Sequence, residues 1–217
     1  MSYEAAINKA WEALVGLNLA DKASVKFLAD EYSLNPKDRR VLSLSCNAPA
    51  KDFTAILILH YLACKLKGLP RLTGEWQDFK ELSGVEGYAD AFRKRAVEPI
   101  IRKYGGKPDA ILEVLDRLPG KRVNQGDIGI VLEALEGVPA LVTLWRPDEE
   151  FGPDANILFD KSIKDILYRG YCGLGRDNFK PVIRRKHEEI CLFILTFIYS
   201  AACNLPSLRQ RADKDLF

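Results

Sequence analysis

The sequence is poor in the residues that mark specialised chemistry, and each shortage removes a class of protein. It holds only two histidines, His60 and His187, and five cysteines in 217 residues, with no C-x-x-C. Cys46, Cys64, Cys172, Cys191 and Cys203 are odd in number and widely spaced, which argues against a secreted disulfide scaffold. Reduced thiols in a cytoplasmic protein are expected. The opening MSYEAAINKAWEALVGL mixes acids and bases through its apolar positions, unlike a signal peptide. A net charge of +2 is too small to imply a nucleic-acid partner. No G-x-x-x-x-G-K-[ST], G-x-S-x-G or H-E-x-x-H occurs, and Gly170 to Gly175 has the wrong order for a dinucleotide fingerprint. Long hydrophobic runs are also missing. Ile190 to Cys203, ICLFILTFIYSAAC, is free of charge for fourteen residues, whereas a spanning helix needs about 20. No membrane span is expected.

What remains is an ordinary globular composition. At 47% hydrophobic and 29% charged, the chain has enough apolar material for one core, so residues 1–206 are read as a single domain and 207–217 as a polar tail. Tyr3, Ile7, Ala10, Trp11, Leu14 and Leu17 recur at helical spacing. Asp21 reads as the N-cap of a second helix carrying Val25, Leu28 and Tyr32, ended by Asn35-Pro36. Val41–Cys46 reads as a short strand. Residues 52–67 are apolar almost all round and predict a core helix. Residues 72–87 read as a loop, followed by helices at 88–103 and 108–118 about Gly105-Gly106. Ile128–Leu135 and Val138–Trp145 flank Glu136-Gly137 and predict an antiparallel hairpin, with Ile157–Phe159 as a third strand. A long helix over 179–203 closes the structured part. The expected fold class is α+β, with helices packed on a small, mainly antiparallel sheet and a long apolar C-terminal helix, an appendage or part of the domain.

Three groups of residues can carry chemistry, each beside a plainer role. The stretch from Trp145 to Asp160 gathers five carboxylates. Asp148, Glu150, Asp154 and Asp160 suit a hard divalent cation or acid/base work, or serve as turn and helix caps, Asp160 capping a helix at 161–168. His60 with Cys64, and His187 with Cys191, each stand at i,i+4 on a predicted helix face. Together they form a set that suits zinc, and either histidine alone suits a metal macrocycle such as haem. Both pairs lie among apolar neighbours, where buried core residues are equally natural. Arg176, Lys180, Arg184, Arg185 and Lys186 form a basic ridge, but Glu188 and Glu189 can pair with Arg184 and Arg185. In the last helix, Ile190, Phe193, Ile194, Phe197 and Ile198 make an apolar stripe, with Leu192, Leu195 and Tyr199 behind it. Residues 190–203 are therefore expected to need a protein partner, a second copy or full internal burial.

The succession Gly68-Leu69-Pro70-Arg71-Leu72-Thr73-Gly74-Glu75-Trp76-Gln77-Asp78-Phe79-Lys80-Glu81-Leu82 resembles the hallmark stretch of a prokaryotic family, the domain of unknown function 3786. So do Gly126-Asp127, Trp145 to Phe151, and Ile157-Leu158-Phe159-Asp160. The resemblance covers roughly residues 1–168. It implies a small protein of anaerobic bacteria or archaea, some of whose relatives carry an iron–sulfur domain that this chain lacks. No activity comes with it. It draws together Glu75, Trp76, Phe79, Trp145 and Phe151 as aromatic and acidic residues on two loops that can line one cofactor-binding concavity, or plug the hairpin against the helices. The expected function is a non-catalytic module that binds a cofactor, metal or protein partner. A divalent-cation-dependent enzyme using residues 148–160 is the alternative, and a structural subunit joined through the last helix is a third.

Overall fold

A computed structural model of the chain describes residues 3–166 apart from 18, 21 and 83–88. The helix expected at 179–203 lies outside the described residues, as do His187, Cys191 and the basic ridge. The first helix, α1 (Tyr3–Val15), buries Ala6, Ala10, Trp11 and Leu14 along one stripe. Its partner α2 (Asp52–Leu66) is buried almost all round, as its unbroken apolar run predicts, because it packs against α1 and the sheet together. No helix among the described residues is long and apolar enough to cross a membrane.

The segment expected to be a second helix is a β-hairpin. Strand β1 (Ala23–Phe27) pairs antiparallel with β2 (Asp30–Asn35), with Phe27 opposite Asp30. Val25 and Phe27 on one strand and Tyr32 and Leu34 on the other turn inward by strand alternation. The two-residue turn Leu28-Ala29 resets that alternation, so Val25, Leu28 and Tyr32 mimic a helical stripe. Leu28 makes the turn at φ 54 and is itself buried. Asn35 holds the next turn, its carboxamide oxygen accepting from the amides of Lys37 and Asp38. Strand β3 (Arg40–Ser43) and the two-residue β4 (Ala48–Pro49) follow.

The sheet is large rather than small. Nine strands, all antiparallel in their pairings, run in the order β4-β3-β2-β1-β7-β8-β9-β5, with β6 beside β7. The added strands are β5 (Trp76–Asp78), β6 (Gly120–Val123), β7 (Ile128–Leu135), β8 (Val138–Trp145) and β9 (Asp154–Asp160). The β7–β8 hairpin turns at Glu136-Gly137, and the Tyr61 hydroxyl of α2 donates to the Glu136 carbonyl at 2.8 Å. The expected loop at 72–87 holds β5 and a 3-10 turn over Phe79–Glu81. In that turn Asp78 accepts the Lys80 amide and Glu81 accepts the Asp78 amide, a capping box written as D-x-x-E.

Helix α3 (Ala89–Phe92) runs through a π-helical turn, Arg93–Val97, into α4 (Glu98–Tyr104). Pro99 accounts for the widening, since it has no amide to return to the Arg95 carbonyl. A 3-10 helix, Pro108–Asp116, leads to β6. Every helix joins one hydrophobic cluster with a single face of the long strands: Ile128, Ile130 and Leu132 of β7, Ala140, Val142 and Leu144 of β8, and Ala155, Ile157 and Phe159 of β9. The alternate residues, among them Val131, Leu141, Thr143 and Leu158, occupy the opposite face.

Candidate functional site

The acidic, aromatic segment forms an apex where β8 passes into β9. Pro147 and Pro153 bracket a tight turn whose hub is Asp148. One carboxylate oxygen accepts the amides of Glu150 at 2.9 Å and Phe151 at 2.7 Å, and the Asp148 amide donates to the Phe151 carbonyl. These amides hold the Asp148 carboxyl below the usual carboxylate range. The base of the apex is fixed from two sides. The β6–β7 turn comes close because Gly126 takes φ +66 beneath the Trp145 ring, and Asp127 there accepts the Arg146 amide at 2.7 Å. On the other side the Pro153 ring lies where a Cβ on Gly105 would stand, so the end of α4 receives the loop only as glycine.

Two ion pairs span the same region, Arg146 with Asp109 at 2.8 Å and Arg93 with Asp154 at 3.0 Å. Both are exposed and contribute little stability each, but they orient the rim. Arg93, Asp109 and Arg146 carried no sign of this role in the sequence, where each is one exposed charge among many. The turn leaves Glu149 and Glu150 in solvent with Phe151, 69% exposed, between them and Trp145, 39% exposed, at the strand end.

The other residues singled out from the sequence lie elsewhere. Trp145 stands opposite Asp154 and Trp76 opposite Asp160, so β9 separates the two tryptophans by six residues, roughly 20 Å. Glu75 and Trp76 are thus at the far end of the sheet from Trp145 and Phe151, and the two loops do not frame one concavity. Phe79 is fully buried, stacked on Phe92 with ring centroids 4.2 Å apart. Asp160, 3% exposed, binds the loop before β5. Its carboxylate accepts the Thr73 amide and hydroxyl, the Gly74 amide at 2.8 Å and the Ser162 amide at 2.9 Å. Burial works to raise its pKa, but the hydrogen bonds from Ser162, Thr73 and Gly74 prevail and bring it down to about 2. The helical turn at 163–166 does begin beside it, yet its main partners lie 86 and 87 residues back in the chain.

Asp148, Glu150 and Asp154 share the apex, while Asp160 is a strand's length away. No group of three or more His, Cys, Asp or Glu among the described residues is placed to hold a metal ion. His60 and Cys64 are both buried in α2, within the helix layer.

The family model for the domain of unknown function 3786 matches residues 10–168, well over half of the chain. The chain belongs to that family. No curated protein and no solved structure matches it. In this member of the 3786 family the hallmark segments serve two places. Thr73–Phe79 and Ile157–Asp160 are neighbouring strands joined by the Asp160 carboxylate. Gly126-Asp127 and Trp145–Phe151 build the apex.

Proposed function

We propose that this protein is a binding module that offers the Trp145–Asp154 apex to a protein partner carrying a basic surface with an apolar pocket. One observation carries the reading. A phenyl ring, Phe151, is held out in solvent by a hydrogen-bonded turn and is ringed by the carboxylates of Asp148, Glu149 and Glu150. Enclosing such a ring contributes about 2 kcal/mol, and a turn fixed beforehand loses little entropy on binding. The apex projects rather than encloses, which suits a macromolecular surface better than a small cofactor. Its carboxylates share open solvent, so burial does not divide them into an acid and a base. Net negative charge at the tip, with Arg146 against Asp148, Glu149, Glu150 and Asp154, favours a cationic partner and speeds its encounter.

Selection of displayed peptides on the full chain, with counter-selection on Phe151→Ser, tests this directly. Enriched peptides should combine lysine or arginine with one large apolar residue. Their affinity should fall at least tenfold with Phe151→Ser or Glu150→Lys and should drop steeply with salt. Both variants should melt like wild type, since neither side chain is buried. Peptides that bind Phe151→Ser equally well, or no enrichment at all, would sink the reading.

A further inference from the structure

The outer face of the sheet is apolar and lies apart from the core. Val123, Val131, Leu141 and Leu158 form a row across β6, β7, β8 and β9, next to one another by register or diagonal, and none belongs to the cluster that joins the helices to the sheet. Even so, Leu141 is 0% exposed, and Thr143 beside it is buried with a hydroxyl that meets no hydrogen-bond partner. An apolar side chain in the middle of an open sheet face keeps part of its surface in water. Full burial of Leu141 within a single chain requires a cover that the chain itself supplies, and the unpartnered hydroxyl marks that cover as dry.

The described helices are committed to the opposite face. The stretches that remain are 1–2, 18, 21, 83–88 and 167–217. Residues 83–88, Ser-Gly-Val-Glu-Gly-Tyr, are too few and too polar to roof three strands. We infer that the uncharged segment Ile190–Cys203 of the same chain seats on the outer face of β7, β8 and β9. As a helix its fourteen residues would measure about 21 Å, against about 26 Å for an eight-residue strand. A helix is about 10 Å across, close to the width of three strands. The chain leaves the described region at Ile166, six residues past the end of β9, itself one of the strands to be covered. The segment's apolar character on more than one side fits this seat, with one side on the sheet and the flanks over Val131 and Leu158.

Cross-linking tests the seat. Leu158 is half-buried and tolerates exchange, so Leu158→Cys is introduced into the full chain with Cys46 and Cys172 replaced by serine, leaving Cys191 and Cys203 in the segment. A short bismaleimide should join position 158 to Cys191 or Cys203 within one chain, seen by mass spectrometry in the monomer band. Val131→Cys repeats the experiment from the other flank should the first variant fold poorly. Links found only between chains would mean that a second copy covers the face and would overturn the inference. So would the absence of any link while Cys191 and Cys203 react as freely as exposed thiols.

Discussion

At the scale of single residues, Asp160 is the side chain on which most distant contacts converge. Its carboxyl has a folded pKa near 2 against an ordinary 3.8. A depressed carboxylate stabilises the fold above its unfolded pKa, and that contribution disappears as pH falls from about 4 through about 2. The shift corresponds to about 2 kcal/mol. Asp160→Asn should therefore cost roughly 2–4 kcal/mol at pH 7 in urea unfolding, since one carboxamide oxygen cannot serve the amides of Thr73, Gly74 and Ser162 together. The gap between variant and wild type should narrow toward pH 2; a constant gap would show that packing, not charge, is lost. The sequence marks Asp160 as acidic, strand-terminal and part of a family hallmark, and the cap on Ser162 is readable from local spacing. Its hold on Thr73 and Gly74 is not, because no local pattern encodes a contact across 86 residues. Phe79 and Phe151 show the same limit. Both are aromatic neighbours of acids, yet one is fully buried against Phe92 and the other stands in water.

Among the elements, long runs with one strong period are legible and short strands are not. The α2 run and the β7–β8 hairpin about Glu136-Gly137 follow directly from apolar length and turn chemistry. The β1–β2 hairpin hides because its turn uses Leu28-Ala29 in place of the glycine or asparagine that such turns favour. β6 hides because Gly-Lys-Arg-Val carries almost no apolar pattern. A similar misuse of backbone occurs at Arg39, which takes φ 52 in the exposed turn between β2 and β3. Arginine is disfavoured there and asparagine is tolerated. Arg39→Asn should stabilise the protein by on the order of 0.5–1 kcal/mol and raise its melting temperature by about 2 °C in calorimetry. A fall in melting temperature would mean that the arginine side chain makes a contact worth more than the strain.

For the molecule as a whole, the sheet is two unequal parts in series. β7, β8 and β9 pair along most of their length, while β1 meets β7 through the single register pair Phe27 and Leu135. The helix layer, not the ladder, carries the join between them. Hydrogen exchange should accordingly find the β8 amides slowest of all, with the β3–β4 hairpin exchanging orders of magnitude faster through local opening. Uniform protection across both parts would show that they open as one unit. The α+β class is readable from composition and period, but the size of the sheet is not, since four of its strands have four residues or fewer.

The two ends of that sheet bear on how the protein behaves in a crowded solution. An open edge is a template on which another chain can add a strand. Here one edge is β4, two residues long. The amide of Ala50 bonds inward to Val41, which turns the nitrogen of Pro49 outward, where it has no hydrogen to offer. The other edge, β5, runs for three residues before the capping box of Asp78 and Glu81 coils the chain away into its 3-10 turn. A sheet rich in β-branched and aliphatic residues thus ends on both sides in a stub. A neighbouring copy finds too few donors to register against, and concentration alone should not drive strand-to-strand assembly.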